Sequence, residues 1–308
     1  TAERDLYSYR PPALAALAGA AAPRVYAFDY FEAGTGRRYL GHEGYVMKVL
    51  REDRPAWAEA AALRTALYPS VLGGWGVETA FAVDALGLYP PYLEAVTRLR
   101  RRYEETPLHT RLLRLAAVTH VVALHRRGLD DLTLVGEFPS LFVEPIHVFR
   151  VPEPLPRARV VDGVRVAGEE GAFAALVDPA FDPWREVVLT DGRPVAPESS
   201  FRGAATVVAS RPGRVVVQAE LSRAGHLVLA DAYHPGWRVE VDGRRAEVLR
   251  ANGAFRAVAL EPGRHHVELS YRPASVVAGV LATGATLALL AAAAAVDRRR
   301  RGRKAAAP

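Results

Sequence analysis

A run of twenty-three residues without a charged side chain, Ala274–Val296, constrains this chain more than any other feature of its sequence. As a helix rising about 1.5 Å per residue, the run would be about 35 Å long. The hydrocarbon core of a bilayer is about 30 Å thick, so the run can cross it. A buried core helix is the alternative, because alanine, glycine and threonine make the run only moderately hydrophobic. The length without charge favours a transmembrane helix, which we predict over residues 273–297.

The segment after this run is strongly basic. Six of the eight residues of 297–304 are arginine or lysine. Clusters of this kind hold the adjacent end of a transmembrane helix in the cytoplasm. We therefore predict a cell-membrane protein in contact with the lipid bilayer, with residues 298–308 as a basic cytoplasmic tail and residues 1–272 as an extracytoplasmic body.

The basic tail also accounts for most of the formal net charge of +6. A nucleic-acid-binding protein needs a basic face on its folded body, so we predict no nucleic-acid partner. An outward-facing body needs a targeting device, and the sequence from Thr1 has no signal-peptide pattern. We therefore expect a signal peptide or further transmembrane helices of the same protein upstream. Small residues such as Gly279 and Gly284 would let such helices pack closely against the span.

Turn-forming pairs recur at ten-residue intervals ahead of the span, at Asp242-Gly243, Asn252-Gly253 and Pro262-Gly263. Asp-Gly and Asn-Gly pairs favour tight hairpins because both residues tolerate positive φ. The segments between the turns alternate between apolar and polar side chains, as half-buried strands do. With two more apolar segments upstream, residues 201–272 are predicted to contain five or six strands of a β-sandwich.

Helical and strand patterns alternate in the first half of the chain. "PPALAALAGAAAP" precedes "RVYAFDYF", and "PLHTRLLRLAAV" precedes "THVVALHR". Proline near the start of each helical segment is typical of a helix N-terminus. The predicted fold class is therefore mixed α+β. An N-terminal α/β layer in residues 1–140 precedes an antiparallel β-sandwich in residues 141–272 with a proline-rich opening segment, and one C-terminal transmembrane helix follows.

Three blocks stand in order ahead of the span: "IHVFRVPEPLPRARVV", "AFAALVDPAFDPWREVVL" and the segment from "LVLADAYHPGW" to "ELSYRP". In sequence and spacing they resemble the C-terminal region of the bacterial YfhO-like membrane proteins, which are similar to GT-C-type glycosyltransferases. The resemblance implies an outer domain and last helix of a multi-span protein. Such proteins are expected to help transfer sugar from a polyprenyl-phosphate carrier to an envelope glycan. The early catalytic loop of GT-C-type enzymes has no counterpart here, so the resemblance implies a non-catalytic part.

The residues themselves offer no catalytic constellation, and we predict no catalytic residue, metal site or cofactor. The chain has no cysteine and no glycine-rich phosphate loop. His265 and His266 are adjacent in a predicted strand, so their side chains point to opposite faces. Asp130-Asp131 is interpreted as a solvated turn, and Glu104-Glu105 as a charged helix end.

Two aromatic clusters are candidates for ligand binding. The first is a glycine-rich segment, "LGGWGVETAFAVDALGLYPPYLE", with the candidate residues Trp75, Glu78, Asp84, Tyr89 and Tyr92. Loops of this composition often carry function, and packing over the α/β layer is the alternative. The second is "YHPGW", in which the rings of His234 and Trp237 are placed to stack on a sugar. Because Trp237 also begins an inward-facing strand row, a core position is favoured for it.

Three functions follow from these patterns. The one we favour is a non-catalytic outer domain of a polytopic sugar-transfer protein, which predicts more transmembrane helices upstream. A single-pass, membrane-anchored glycan- or protein-binding module is the alternative, and it predicts only a signal peptide there. An independent enzyme is the third, and no residue pattern supports it.

Overall fold

The computed structural model describes residues 8–18, 22–48, 55–81 and 90–305. The α-helices of the described residues are α1 (Thr35–Tyr39), α2 (Pro55–Thr65), α3 (Pro91–Arg102), α4 (Pro107–Leu115), α5 (Glu169–Val177) and α6 (Ala274–Ala305). The predicted class is confirmed: the fold is mixed α+β, with antiparallel sheets and a C-terminal helix that could span a membrane. The first predicted helix differs in type, because Pro12–Leu17 forms a 3₁₀ helix.

The first sheet is mixed. Its strands are β1 (Arg24–Ala27), β2 (Glu78–Thr79), β3 (His120–Ala123), β4 (Thr133–Phe138) and β5 (Ile146–Arg150), in the order β2-β1-β3-β5-β4. β1 is parallel to β2 and β3, whereas β5 is antiparallel to β3 and β4. β5 follows residue 140, yet it lies inside this sheet because four of its five side chains are buried there.

The second sheet forms one layer of the sandwich. Its strands are β6 (Ala158–Val161), β7 (Gly163–Val166), β8 (Glu186–Leu189), β11 (Gly225–Leu229), β14 (Leu249–Ala251) and β15 (Phe255–Leu260). The order is β6-β11-β15-β14-β8-β7. The predicted sandwich was antiparallel throughout, but β7 and β8 are parallel. The parallel pairing is possible because α5 makes the crossover between them.

The third sheet forms the other layer. Its strands are β9 (Gly203–Arg211), β10 (Arg214–Leu221), β12 (Trp237–Val241), β13 (Arg244–Ala246) and β16 (Gly263–Tyr271), in the order β13-β12-β16-β10-β9. All its pairings are antiparallel. Val217, Val267 and Leu269 from this sheet pack against Leu227 and Val258 from the second sheet, and all five are fully buried. Complete burial of such side chains stabilises the sandwich by about 1.5–3 kcal/mol each.

Two of the three predicted turns form tight hairpins, whereas Pro262-Gly263 joins β15 of the second sheet to β16 of the third. Asp242 and Gly243 have φ values of 53° and 78°, and Asn252 and Gly253 have 48° and 77°. Positive φ at two successive residues closes a tight hairpin. The region 201–272 contains eight strands rather than five or six, because the short strands β13 and β14 pair on either side of these turns.

The C-terminal helix α6 follows the sandwich after only two residues. Ala274–Ala295 is long and apolar enough to cross a membrane, and none of it is buried against the body. Leu281 and Leu289 are 69% and 72% exposed. Large apolar side chains so exposed over six turns are unfavourable in water, so a lipid environment suits this helix. The helical backbone continues through the basic residues to Ala305.

Candidate functional site

A groove of about 740 Å³ lies beside the second sheet of the sandwich. Its wall draws on α3, the turn after β8, the connection between β11 and β12, and the segment joining β13 to β14. Among its aromatic and charged side chains are Tyr92, Asp191, Arg193, Tyr233, Glu247 and Arg250. A concave surface that combines aromatic rings with a few polar groups is typical of a site for a small ligand.

Two tyrosines and an arginine of this wall lie against one another. Pro91 starts α3 and fixes Tyr92 in the first turn of the helix. The Tyr233 ring centre lies 6.2 Å from that of Tyr92. The Arg250 guanidinium lies 3.9 Å from the centre of the Tyr92 ring and donates a 2.6 Å hydrogen bond to Glu169. The cation–π contact and the ion pair hold the wall in one arrangement.

His226 adds a polar atom to the groove. It lies in β11, and among the described residues its Nδ1 atom is buried without a hydrogen-bond partner. Burial lowers the pKa of His226, so its imidazole is neutral at neutral pH. A neutral imidazole can donate from one nitrogen and accept at the other, as recognition of a hydroxyl requires.

A second polar centre lies where the three sheets meet. Asp231 lies two residues after the end of β11, and its carboxylate binds three arginines from distant segments. Arg157 forms a fork with two bonds of 2.9 Å, Arg256 binds at 3.0 Å and Arg24 at 3.3 Å. Arg157 also pairs with Glu78, one of the predicted site residues. We call these five residues the Asp231 junction.

The centre of the Asp231 junction is nearly closed to solvent, and burial and the arginines have opposite effects on the pKa of Asp231. The side chains of Asp231 and Arg256 are 7% and 3% exposed. Burial alone would raise the pKa of Asp231, but the Arg157 hydrogen bond and the charges of Arg24 and Arg256 outweigh burial and hold the pKa below its ordinary value. Burial lowers the pKa of Arg256 to about 10. Because every carboxylate oxygen of Asp231 is bound to arginine, the arrangement suits structural support better than proton transfer.

His234 lies in the connection between Asp231 and β12, and Trp237 is the first residue of β12. The His234 Nδ1 atom accepts the Gly236 N–H at 2.9 Å, which stabilises the Pro-Gly turn. Trp237 packs partly against the sandwich core, and the Arg256 guanidinium lies 3.9 Å from the centre of its ring. The Tyr271 ring centre is 5.3 Å from that of Trp237. Protein groups therefore occupy much of the Trp237 surface that a sugar would need.

The remaining predicted site residues do not converge on one place. Trp75 is partly buried and packs against the hydrophobic core around the first sheet. The Arg64 guanidinium lies 4.7 Å from the centre of the Trp75 ring. Glu78 belongs to the Asp231 junction, and Tyr92 belongs to the groove. Asp84 and Tyr89 lie outside the described residues.

Sequence reasoning missed a buried polar cluster beneath the first sheet. Arg100 is 2% exposed, and it donates to Glu104 at 2.9 Å with its guanidinium 4.1 Å from the Tyr26 ring centre. The Tyr39 hydroxyl donates to Glu104 at 2.8 Å. Glu104 thus turns inward, although its segment was interpreted as a charged helix end. The available signal was the four-residue spacing of Val96, Arg100 and Glu104, which places them on one helical face.

The described residues contain no group of three or more histidine, aspartate or glutamate side chains placed to hold a metal ion. Within the same residues, His265 binds Asp242 at 2.8 Å and the Glu261 carbonyl at 2.9 Å, so the His265-His266 pair has a structural role in the hairpin. Asp130 and Asp131 are exposed in a turn.

The family model for bacterial membrane protein YfhO matches residues 202–283. This match covers roughly a quarter of the chain and includes the third sheet, Tyr233, Arg250 and the beginning of α6. Together with the C-terminal apolar helix, it fits a YfhO-like membrane protein, so the resemblance seen in the sequence is confirmed over this region. No curated protein and no solved structure matched the chain.

Proposed function

We propose that this chain is a non-catalytic extracytoplasmic domain of a polytopic YfhO-like membrane protein, and that it holds a glycan during transfer of sugar from a lipid carrier to a cell-envelope polymer. The observation that carries the proposal is the groove formed by Tyr92, Tyr233 and Arg250. A sugar ring has an apolar face of C–H groups and a rim of hydroxyls. Aromatic side chains match the face, and charged side chains match the rim.

The charges of the groove support a neutral glycan rather than a phosphate. Asp191 and Glu247 accept hydrogen bonds, whereas Arg193 and Arg250 donate them, and all four side chains line the groove. Sugar hydroxyls both donate and accept, so they suit a wall of mixed sign. A phosphate would be repelled by the two carboxylates.

The proposed topology and partners rest on α6 and its flank. Positive charge in the segment after the span favours a cytoplasmic tail, with the body on the other side of the membrane. Gly279 and Gly284 leave open space beside α6, since a Cβ atom at either position would meet nothing within 4 Å. Small residues on an uncovered transmembrane helix suit close packing against further helices of the same protein.

Glycan binding is tested by titrating the full chain in detergent micelles with di- and trisaccharides of glucose, galactose and N-acetylglucosamine. We expect weak, saturable binding that Tyr233→Ala weakens about fivefold, as loss of an aromatic contact predicts. Tyr9→Ala is the matched control, because Tyr9 is 43% exposed and outside the groove. Equal binding by Tyr233→Ala and Tyr9→Ala, or no saturable binding by the folded chain, would contradict the proposed glycan site.

Topology and chemistry have separate tests. Protease added to intact spheroplasts should degrade the body and leave an epitope placed after Lys304 intact. Loss of that epitope while the membrane is sealed would overturn the orientation. The purified chain is expected to show no turnover of a polyprenyl-phosphate sugar, and measurable transfer by it would refute the non-catalytic assignment.

A further inference from the structure

Four arginines lie at the end of the third sheet that is nearest to α6. β16 ends at Tyr271, and α6 begins at Ala274. The Tyr271 N–H donates to the Gly213 carbonyl at 2.8 Å, and the Arg272 N–H donates to the Gly236 carbonyl at 2.7 Å. These bonds bring the β9–β10 hairpin and the start of β12 to the same end.

Strand register places three of these arginines in one transverse row. Arg211 lies opposite Arg214, Arg214 lies opposite Ser270, and Ser270 lies opposite Arg238. Directly paired residues share a face of the sheet, and neighbouring strands are about 4.8 Å apart. Arg272 lies two residues beyond Ser270, on the same face and one step nearer to α6. We call Arg211, Arg214, Arg238 and Arg272 the arginine row.

The arginine row has too few acidic partners of its own. Glu268 binds Arg214 at 2.7 Å and 2.8 Å. In the part of the chain that the structure describes, no carboxylate forms an ion pair with Arg211 or Arg238, and Arg272 acts on Glu268 only through its charge, which helps to lower the pKa of that carboxyl. All four arginines are exposed. Like charges directly opposite each other on a sheet are unfavourable, so Arg211 and Arg214 together suit an external anion.

With α6 inserted, the row lies close enough to the helix for its side chains to reach the lipid headgroups. An extended chain covers at most about 3.6 Å per residue, so Arg272 lies within about 7 Å of Ala274, and Ser270 lies within about 14 Å. The polar layer on each side of a bilayer is about 5–8 Å thick. Arginine side chains extend toward that layer while their backbone stays outside it. Tyr271 is 38% exposed at the same level, as aromatic side chains at a membrane interface commonly are.

We infer that the arginine row binds the phosphate groups of anionic phospholipids in the adjacent leaflet and so holds the third sheet against the bilayer surface. The apolar helix alone would anchor the chain but would leave the body free to tilt. The row adds cationic contacts on one outer face of the sheet. This inference requires that α6 is inserted, and it does not depend on the glycan groove or on which leaflet is involved.

The absence of cysteine from the chain makes a direct test possible. A single cysteine replacing the exposed Ala209, beside the row, carries a fluorophore, and a second protein carries it at exposed Glu261 at the opposite end of β16. Each full chain is reconstituted in nanodiscs of phosphatidylcholine alone, with phosphatidylglycerol at about one lipid in three, or with a polyprenyl phosphate in place of phosphatidylglycerol. Some lipids carry a headgroup quencher. Anionic lipid should at least double the quenching at position 209 and leave position 261 unchanged.

Charge-matched variants identify the residues responsible. The combination Arg211→Gln, Arg214→Gln and Arg238→Gln should abolish the extra quenching. A control replaces three exposed arginines elsewhere: Arg37→Gln, Arg244→Gln and Arg264→Gln. Salt near 1 M should also abolish it in the unaltered chain, because the Debye length is then about 3 Å. This salt arm needs no mutation, so misfolding of a variant cannot mimic it.

Three outcomes would overturn the inference. The first is equal quenching with and without phosphatidylglycerol. The second is the same loss of quenching in both triple variants, which would show a general charge effect. The third is a response to a polyprenyl phosphate but not to phosphatidylglycerol, which would assign the row to a carrier lipid instead of the bulk leaflet.

Discussion

Asp231→Asn should be among the most destabilising isosteric changes in the body. The substitution keeps the size of the side chain but removes the one negative charge that binds Arg24, Arg157 and Arg256 within 3.3 Å. Their side chains are only 13%, 21% and 3% exposed, so water cannot replace the carboxylate. Glu78 remains as a partner of Arg157 alone.

The expected loss follows from this geometry. Removing one partner of a buried ion pair typically costs about 3–5 kcal/mol, because the other charge is left uncompensated. Partial exposure of Arg157 allows some relaxation, which argues against adding a full pair energy for each arginine. We therefore expect a loss of about 3–5 kcal/mol in the free energy of unfolding. At about 2–4 °C per kcal/mol, the melting temperature should fall by about 6–20 °C.

The assay is thermal unfolding of the full chain in detergent micelles, followed by circular dichroism. Asp130→Asn is the control, since Asp130 is exposed in a turn and the change in formal charge is the same. The double variant Asp231→Asn with Arg256→Met should be more stable than Asp231→Asn alone, because Arg256 is 3% exposed and has no other carboxylate partner among the described residues. A melting temperature for Asp231→Asn within 2 °C or so of the control would refute the reasoning.

Two further predictions concern the Asp242-Gly243 turn and the loss of stability at acidic pH. Gly243→Val should lower the free energy of unfolding by more than about 1 kcal/mol through backbone strain alone, since Gly243 has φ 78° and a Cβ atom there would meet nothing within 4 Å. Gly74→Val is the control, because Gly74 lies outside the left-handed region and its Cβ would also meet nothing within 4 Å. Equal melting temperatures of the two variants would contradict the turn assignment. Burial, with nearby Arg100 for His109 and nearby His147 for His125, lowers the pKa of each histidine to about 3. The unfolded state therefore takes up protons first, and stability should fall as the pH drops below about 6.5, by about 1.4 kcal/mol per pH unit for each histidine. Urea titrations at several pH values between 6.5 and 5 give the free energy of unfolding at each pH. This free energy should fall less steeply with pH in His109→Phe than in the unaltered chain, and an equal fall would contradict the role of His109.

The parts of the fold that could be predicted are those determined by residues adjacent in the sequence. The Asp242-Gly243 and Asn252-Gly253 turns form because positive φ is a property of the two residues themselves. The transmembrane helix was predicted from the length of the uncharged run, a property that does not depend on contacts with distant residues. The parallel pairing of β7 with β8 was missed because it depends on α5 returning the chain to the same sheet.

The Asp231 junction could not be predicted, because its members come from five separate segments. Asp231 is 207 positions from Arg24 and 74 from Arg157. The chain has forty lysines and arginines, so sequence alone does not indicate which three face one aspartate. A weak signal was present: Asp231 lies two residues after the apolar strand β11, where a charge needs a buried partner. The candidate groove was found only through Tyr92, since Tyr233 and Arg250 become its neighbours through the sheet topology.

Residues 231–237 connect the three polar features along one short path. Asp231 is fixed by the arginines, and Tyr233 donates its N–H to the Ala254 carbonyl at 2.7 Å. The Gly236 carbonyl accepts the N–H of Arg272, two residues before α6. Tyr233 and Gly236 are three residues apart, so at most about 11 Å of extended chain separates them. Because both ends of this path are held by hydrogen bonds, no flexible linker separates the groove from α6. The arginine row would then limit the tilt of the body, and with it the height of the groove above the bilayer. Under the proposed function, a glycan in the groove would therefore lie close to the membrane surface, within reach of a sugar carried on a lipid.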